Sequence, residues 1–156
     1  MRARHGRLVL TRDPFLAAAI RQARKSLSEG GIPIGAVLVL DGRIIAEGHN
    51  RRVQTGSPID HGETNCLRNA GRLRADVYRR CTLYSTLSPC PMCSGAIALY
   101  RIPRVVAGEN RSFRGAEDYL RASGIQVEVV QDAECIELMT EFIKAHPDLW
   151  REDIGD

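Results

Sequence analysis

Apolar residues first recur at helical spacing in Phe15, Leu16, Ala19, Ile20, Ala23 and Leu27, a stripe that predicts an amphipathic helix. Asp13-Pro14 starts it, a capping residue followed by proline at the first helical position, and Gly30-Gly31 ends it. The pattern then changes. Ile34 to Leu40 is an unbroken apolar run, which predicts a strand buried on both faces. Asp41-Gly42 is a tight hairpin signal that returns the chain as an antiparallel strand from Arg43 to Gly48. Residues 51–60 are polar with Gly56 and Pro58 and predict a loop, and a short helix is expected from Gly62 to Asn69, stopping near Gly71. Cys81 to Leu87 reads as a third strand and Pro91 to Tyr100 as a second core helix ended by Pro103. Arg104 to Glu109 and Ile125 to Val130 read as two more strands. The segment between them, Ala116 to Ala122, suits a crossover helix, which makes those strands parallel. Asp132 caps a last long helix with Cys135, Leu138, Met139, Phe142 and Ile143 on one face, a stripe that belongs to a core. Pro147 stops that helix and leaves an acidic tail with the one tryptophan, Trp150. The expectation is a single α/β domain over residues 1–156, three layers deep, with helices on both faces of a five-stranded mixed sheet.

Composition narrows the setting. A 44% hydrophobic share over 156 residues is enough for a core and argues against disorder. No apolar run reaches membrane-span length. The N-terminal basic residues Arg2, Arg4 and Arg7 precede only Leu8-Val9-Leu10 before Arg12 and Asp13, too short a core for a signal peptide, so a cytoplasmic protein is expected. Five cysteines, an odd number, fit reduced thiols better than a disulfide framework. The net charge of +3 is small and dispersed, and gives no basic stripe for nucleic acid.

The chemistry lies in two short segments, His61-Gly62-Glu63 and Pro89-Cys90-Pro91-Met92-Cys93. They offer one imidazole, two thiolates and one carboxylate. A structural zinc site closes its tetrahedron with a fourth protein ligand, whereas a catalytic one leaves that position to water. Two thiols three residues apart at a helix start can reach one metal, and the unpaired N–H groups there favour thiolate. Glu63, two residues from His61, can approach a bound water without being a ligand. Zinc lowers the pKa of such a water far below that of bulk water, to about 7. Alone, C-x-x-C also fits a redox dithiol, and H-x-E is close to noise. Together, H-x-E…P-C-x-x-C is a known signature of zinc deaminases that act on bases. Cys66, Cys81 and Cys135 read as small core residues, and His5, His49 and His146 as surface or structural ones. Asn50 is either a turn former or a pocket residue.

The chain resembles the cytidine-deaminase-like zinc deaminases, and among them the fungal-type cytosine deaminases, from about Asp13 to Asp156. The resemblance rests on Glu29-Gly30-Gly31-Ile32-Pro33-Ile34-Gly35, Gly48-His49-Asn50, His61-Gly62-Glu63, Thr82 to Cys90, Met92-Cys93, Gly108-Glu109-Asn110 and the closing Trp150-Arg151-Glu152-Asp153-Ile154-Gly155-Asp156. It implies one zinc per chain on His61, Cys90 and Cys93, with Glu63 shuttling protons. It further implies that Asn50, the Gly62 N–H and Asp153 hydrogen-bond a pyrimidine. The Ser88 carbonyl would face the leaving amine, while Ile32, Phe113 and Trp150 pack against the ring. The implied reaction is hydrolysis of free cytosine to uracil and ammonia, with hydroxide generated at the metal attacking C4, in a homodimer. Deamination of another free amino-substituted base (guanine, a triazine or a modified pyrimidine) and of transfer-RNA adenosine are the alternatives. The acidic residues Asp148, Glu152, Asp153 and Asp156 disfavour a polyanion.

Overall fold

Asp13 accepts a hydrogen bond from the Phe15 N–H at 2.7 Å and opens helix α1 (Pro14–Ser28). The computed structural model describes residues 12–156; the expectations that fell on Arg2, Arg4, His5, Arg7 and Leu8-Val9-Leu10 lie outside the described residues. Strand β1 (Gly35–Leu40) follows, then β2 (Arg43–His49), paired antiparallel through the two-residue Asp41-Gly42 turn, where Leu40 faces Arg43. Both turn residues have positive φ, 50° and 76°, the geometry that matches the twist of a hairpin.

The stretch expected as a loop contains one helical turn, α2 (Arg52–Thr55), closed by Gly56 in the left-handed region. Next come α3 (Gly62–Ala70), a second single turn α4 (Ala75–Tyr78) that the pattern did not predict, and β3 (Cys81–Ser85). Strand β3 is two residues shorter than expected: the Thr86 N–H still reaches the Gly35 carbonyl of β1, but the Gly35 N–H donates to the Thr86 hydroxyl at 3.1 Å, and the ladder ends there. Helix α5 (Pro91–Leu99), β4 (Arg104–Ala107), α6 (Glu117–Ala122), β5 (Gln126–Val129) and α7 (Ala133–Ala145) complete the expected series. The tail is not an irregular appendage. Pro147 ends α7 and takes the first position of another helix, α8 (Pro147–Ile154), a place where its missing N–H costs nothing.

The sheet order is β2-β1-β3-β4-β5, with β1 antiparallel to both neighbours and β3, β4 and β5 parallel. Alternation divides the strands between two cores. Ala36, Leu38, Leu83 and Val105 pack with Cys66 of α3, Ile97 of α5 and Leu120 of α6. Val37, Val39, Tyr84 and Val106 pack with Leu16, Ala19 and Ile20 of α1 and with Cys135 and Leu138 of α7. The result is the three-layer α/β/α arrangement with a five-stranded mixed sheet. A third cluster, Ile32, Ile34, Leu87, Met139, Phe142 and Trp150, covers one end of the sheet with α8. No helix among the described residues is long and apolar enough to cross a membrane.

Asp132 caps α7 by accepting from the N–H groups of Glu134 (2.9 Å) and Cys135 (3.1 Å), and pairs with the Arg12 guanidinium at 2.8 Å. Burial works against its charge, but Arg12 and the two helix donors hold its carboxyl below the usual range. The Asp132→Ala variant is expected to lose about 1–2 kcal/mol of stability, the usual cost of a lost cap. A depressed folded pKa stabilises above the unfolded value of about 3.9 and is lost as pH falls through the folded one. The gap in thermal midpoint between wild type and variant should therefore be full at pH 7 and narrow below about pH 4. A gap that does not depend on pH would remove the electrostatic part of this account.

Candidate active site

His61 caps α3 and Cys90 caps α5, so both ligand-bearing segments are helix N-termini, as their spacing implied. His61 is held there by its own N–H, which donates to the Thr64 hydroxyl at 3.0 Å. Helix α3 lies close on β2 because Gly48 has no side chain; a Cβ there would sit 2.3 Å from the Cys66 nitrogen. Asn65 ties the same helix to the strand by accepting from the His49 N–H at 3.1 Å. Pro91 at the first turn of α5 aims the Cys93 N–H at the Cys90 sulfur, 3.4 Å away.

These constraints bring His61 Nδ1 to 3.5 Å from Cys90 Sγ and 3.7 Å from Cys93 Sγ. The three ligand atoms all lie within 4.8 Å of one another, with His61 and Cys93 buried. One imidazole and two thiols at that separation suit a single tetrahedral zinc that keeps a fourth position open. The other ring nitrogen, Nε2, lies 3.4 Å from Asp153 of α8, the kind of outer partner that orients a ligating histidine. Before a metal takes their protons the ligands are strongly coupled. Hydrogen bonds from Cys93 and His61 outweigh burial and bring the Cys90 thiol down to about 4. Burial would lower His61, but the Cys90 sulfur and the Asp153 and Glu63 carboxylates carry it up to about 9. Zinc loading at neutral pH therefore expels protons.

Glu63 sits in the first turn of α3, nearly inaccessible, with Oε1 2.6 Å from the Ser85 hydroxyl. Burial, then the nearby Cys90 charge, pushes its carboxyl up. Ser85 Oγ also lies 2.8 Å from the Leu87 carbonyl. A hydroxyl has one proton and two lone pairs. Ser85 can thus donate to an ionised Glu63, or donate to Leu87 and accept from a protonated one. Both protonation states have a seat, which is what a proton carrier requires. Ser85 drew no attention in the sequence, where it is one more small residue on a buried strand.

His61, Glu63, Ser88, Cys90, Phe113, Trp150 and Asp153 converge on one small cavity. Phe113 meets Trp150 edge-on, with ring centroids 5.8 Å apart. Asn50 is fully buried and joins this group through its amide, which donates to Asp153 Oδ1 at 3.0 Å. Gly62 lies at the start of α3, where a helix N–H takes no intrahelical partner. Ile32 is the exception. It is enclosed in the third cluster, and the apolar wall of the cavity is made by Ile34, Leu87 and Ile154 instead. Pro33 lies between them, and the period-two rule cannot be applied before β1 begins at Gly35. His49, read as structural, is buried with Nε2 2.7 Å from Glu29. Cys66, Cys81 and Cys135 are buried, free and away from the ligands.

Residues 11–109, which contain the His61, Glu63, Cys90 and Cys93 constellation, match the family model described as the cytidine and deoxycytidylate deaminase zinc-binding region. The chain belongs to this family of zinc deaminases. The cytosine deaminase of Candida albicans is 52% identical over 142 residues, covering 90% of this chain and 95% of that protein. The tRNA-specific adenosine deaminase of Streptococcus pyogenes serotype M18 is 43% identical over 106 residues, 66% of each chain. Among solved structures, one from work on A-to-I editing by tRNA:A34 deaminases superposes with a TM-score of 0.66 at 30% identity, over 81% of this chain and 99% of that one. The guanine deaminase from Nitrosomonas europaea gives 0.69 at 22% identity, over 87% and 86%, a likeness of fold. The deaminase fold and a zinc site on His61, Cys90 and Cys93 are thus reached from geometry and from kinship alike.

Proposed function

We propose that this chain deaminates free cytosine with water, giving uracil and ammonia. The observation that carries the reading is α8, whose Asp153 and Trp150 line the same small cavity as His61 and Glu63, a cavity suited to a single ring. The likeness to the Candida albicans cytosine deaminase supports it, because 142 matched residues run well beyond the zinc-binding region that ends at residue 109. When bound, zinc supplies the Lewis acid that makes a water nucleophilic at neutral pH. The chain's own groups do the rest. Glu63 accepts a proton from the attacking water and returns protons to the ring nitrogen and to the departing amine. Asp153, an acceptor fixed by Asn50, takes the exocyclic N–H, and the Gly62 N–H and Asn50 serve the polar edge of the ring. The Ser88 carbonyl faces the leaving ammonia. Phe113 and Trp150 cover the ring faces and exclude bulk water.

The reading extends to the assembly and its setting. Ile59, Met92, Leu99 and Tyr100 are exposed apolar side chains on or beside α3 and α5, and a second copy of the chain covering them in a homodimer accounts for a patch that water would otherwise meet. Sedimentation should give twice the chain mass, and a monomer at micromolar concentration would remove this part. Five free thiols suit a cytoplasmic, reducing compartment. The whole chain is taken as one deaminase domain.

The test is ammonia release from cytosine, cytidine, guanine, adenine and transfer RNA, with metal content measured in parallel. Cytosine should be the best substrate by at least about a hundredfold, the discrimination available to a site that hydrogen-bonds its ligand in a closed cavity. Zinc should be present at about one per chain, set by the single three-ligand site. Preference for guanine or transfer RNA would overturn the substrate. Full activity in metal-free protein would overturn the chemistry.

A further inference from the structure

Glu117 is a carboxylate only 2% exposed, at the first turn of α6 and far along the chain from either zinc segment. Its Oε2 lies 2.8 Å from the Ser88 hydroxyl. The Asn110 amide donates to Oε2 at 3.1 Å and to Oε1 at 3.3 Å, and the Arg121 guanidinium reaches Oε1 at 3.4 Å. The Ser88 hydroxyl also lies 2.5 Å from the Arg114 carbonyl, so its one proton is shared between that loop and the carboxylate. Two backbone facts fasten the same loop to the same segment. The Ala116 N–H donates to the Pro89 carbonyl at 3.0 Å. Gly115, at φ 66°, comes so close that a Cβ would sit 2.1 Å from that oxygen.

Glu117 therefore joins two walls of the cavity. On one side is Ser88-Pro89-Cys90, which carries a zinc ligand and a carbonyl that takes no hydrogen bond from the described residues. On the other is the 110–116 loop, whose Phe113 meets Trp150. Nothing in the acid–base chemistry uses this buried carboxylate, and a satisfied buried network of this kind fixes the groups it joins in one arrangement. We infer that Glu117 is a positioning residue: it sets the Ser88 carbonyl and the Phe113 side chain against the substrate ring, and through Phe113 it holds the Trp150 lid closed. The role rests on the cytosine reading only for the substrate used to measure turnover. The lid part stands apart from it.

Trp150 is the one tryptophan of the chain, so intrinsic fluorescence reports the lid directly. In Glu117→Ala, zinc content should be unchanged and KM for cytosine should rise about ten- to a hundredfold, the worth of a hydrogen bond to a charged group. The proton transfer by Glu63 is untouched, so kcat should fall far less. Trp150 emission should move to longer wavelength and become more open to acrylamide quenching. Glu117→Gln keeps an oxygen that accepts from Ser88 and should restore most of both readouts. A merely structural carboxylate would lower the thermal midpoint and leave KM and Trp150 emission as they were, which would overturn the proposal; so would equal impairment in Gln and Ala. Should Glu117→Ala not fold, Ser88→Ala removes the other partner of the same bond. It should show the same two changes in milder form, and wild-type values there would sink the idea. A wild-type protein inert toward cytosine would instead overturn the substrate reading, while the Trp150 measurements still decide the role of Glu117.

Discussion

Replacing Glu63 by glutamine is expected to leave zinc bound and to lower kcat by about 10²- to 10⁴-fold, the range for loss of a positioned general acid–base. Glutamine matches glutamate in size, and its amide can keep the Ser85 hydroxyl as a partner, so the first turn of α3 should not move. The variant lacks only the ability to take up and release a proton. In the native site that ability is prepared twice over. Burial and the Cys90 charge raise the carboxyl, and Ser85 has an arrangement for each protonation state because Leu87 offers it a second acceptor. The measurement is loss of cytosine absorbance with time on protein of known zinc content. KM should change little, since removal of an interaction made mainly in the transition state appears in kcat. Undiminished turnover in zinc-loaded Glu63→Gln would mean that another group carries the protons, and Asp153, a buried carboxylate 3.4 Å from His61 Nε2, would be the first to test.

Which parts of this molecule could be read from the chain follows from the range of the forces that set them. Helix α1 was legible because Asp13, Pro14 and the apolar stripe act within a few residues, and the first hairpin because Asp41-Gly42 needs no distant partner. The zinc ligands were legible for a similar reason: each of the two segments carries its own helix cap, and only their meeting required the sheet. The single turns α2 and α4 were not, since four residues are too few for a periodic signal. Nor was α8 foreseen as a helix. Its buried face combines Trp150 with Asp153, and a buried aspartate contradicts the usual pattern until Asn50 and His61, about a hundred positions away, are seen to receive it. Ile32, Ser85 and Glu117 belong to the same class. Their importance is set by contacts across the sheet end or between loops, which leave no trace in local spacing.

The other large effect should come from ending the chain at Pro147. The two clusters on the faces of the sheet contain no residue of α8, so the three layers should persist and zinc should still bind. The third cluster loses Trp150, which should lower stability by about 3–5 kcal/mol, as for deletion of a buried aromatic. Turnover should fall much further. The truncated protein loses Asp153, the acceptor held by Asn50, and a hydrogen bond to a charged group is worth about 1.5–3 kcal/mol, or roughly ten- to a hundredfold. It also loses the lid that excludes water, so kcat/KM for cytosine is expected to drop by more than about a hundredfold. The ion pair between Arg52 and Glu152, 3.0 Å apart, lies at the surface and contributes little to the loss. Two point variants separate the parts. Asp153→Asn keeps the lid and should lose about ten- to a hundredfold in kcat/KM. Trp150→Ala keeps the acceptor and should lose mainly stability and water exclusion. If the truncated, zinc-loaded protein turned over cytosine like the full chain, α8 would be packing and nothing more. The reading of the substrate would then have to rest on kinship alone, because without the tail the cavity is open, and an open cavity beside the same zinc would equally admit a base presented by a nucleic acid.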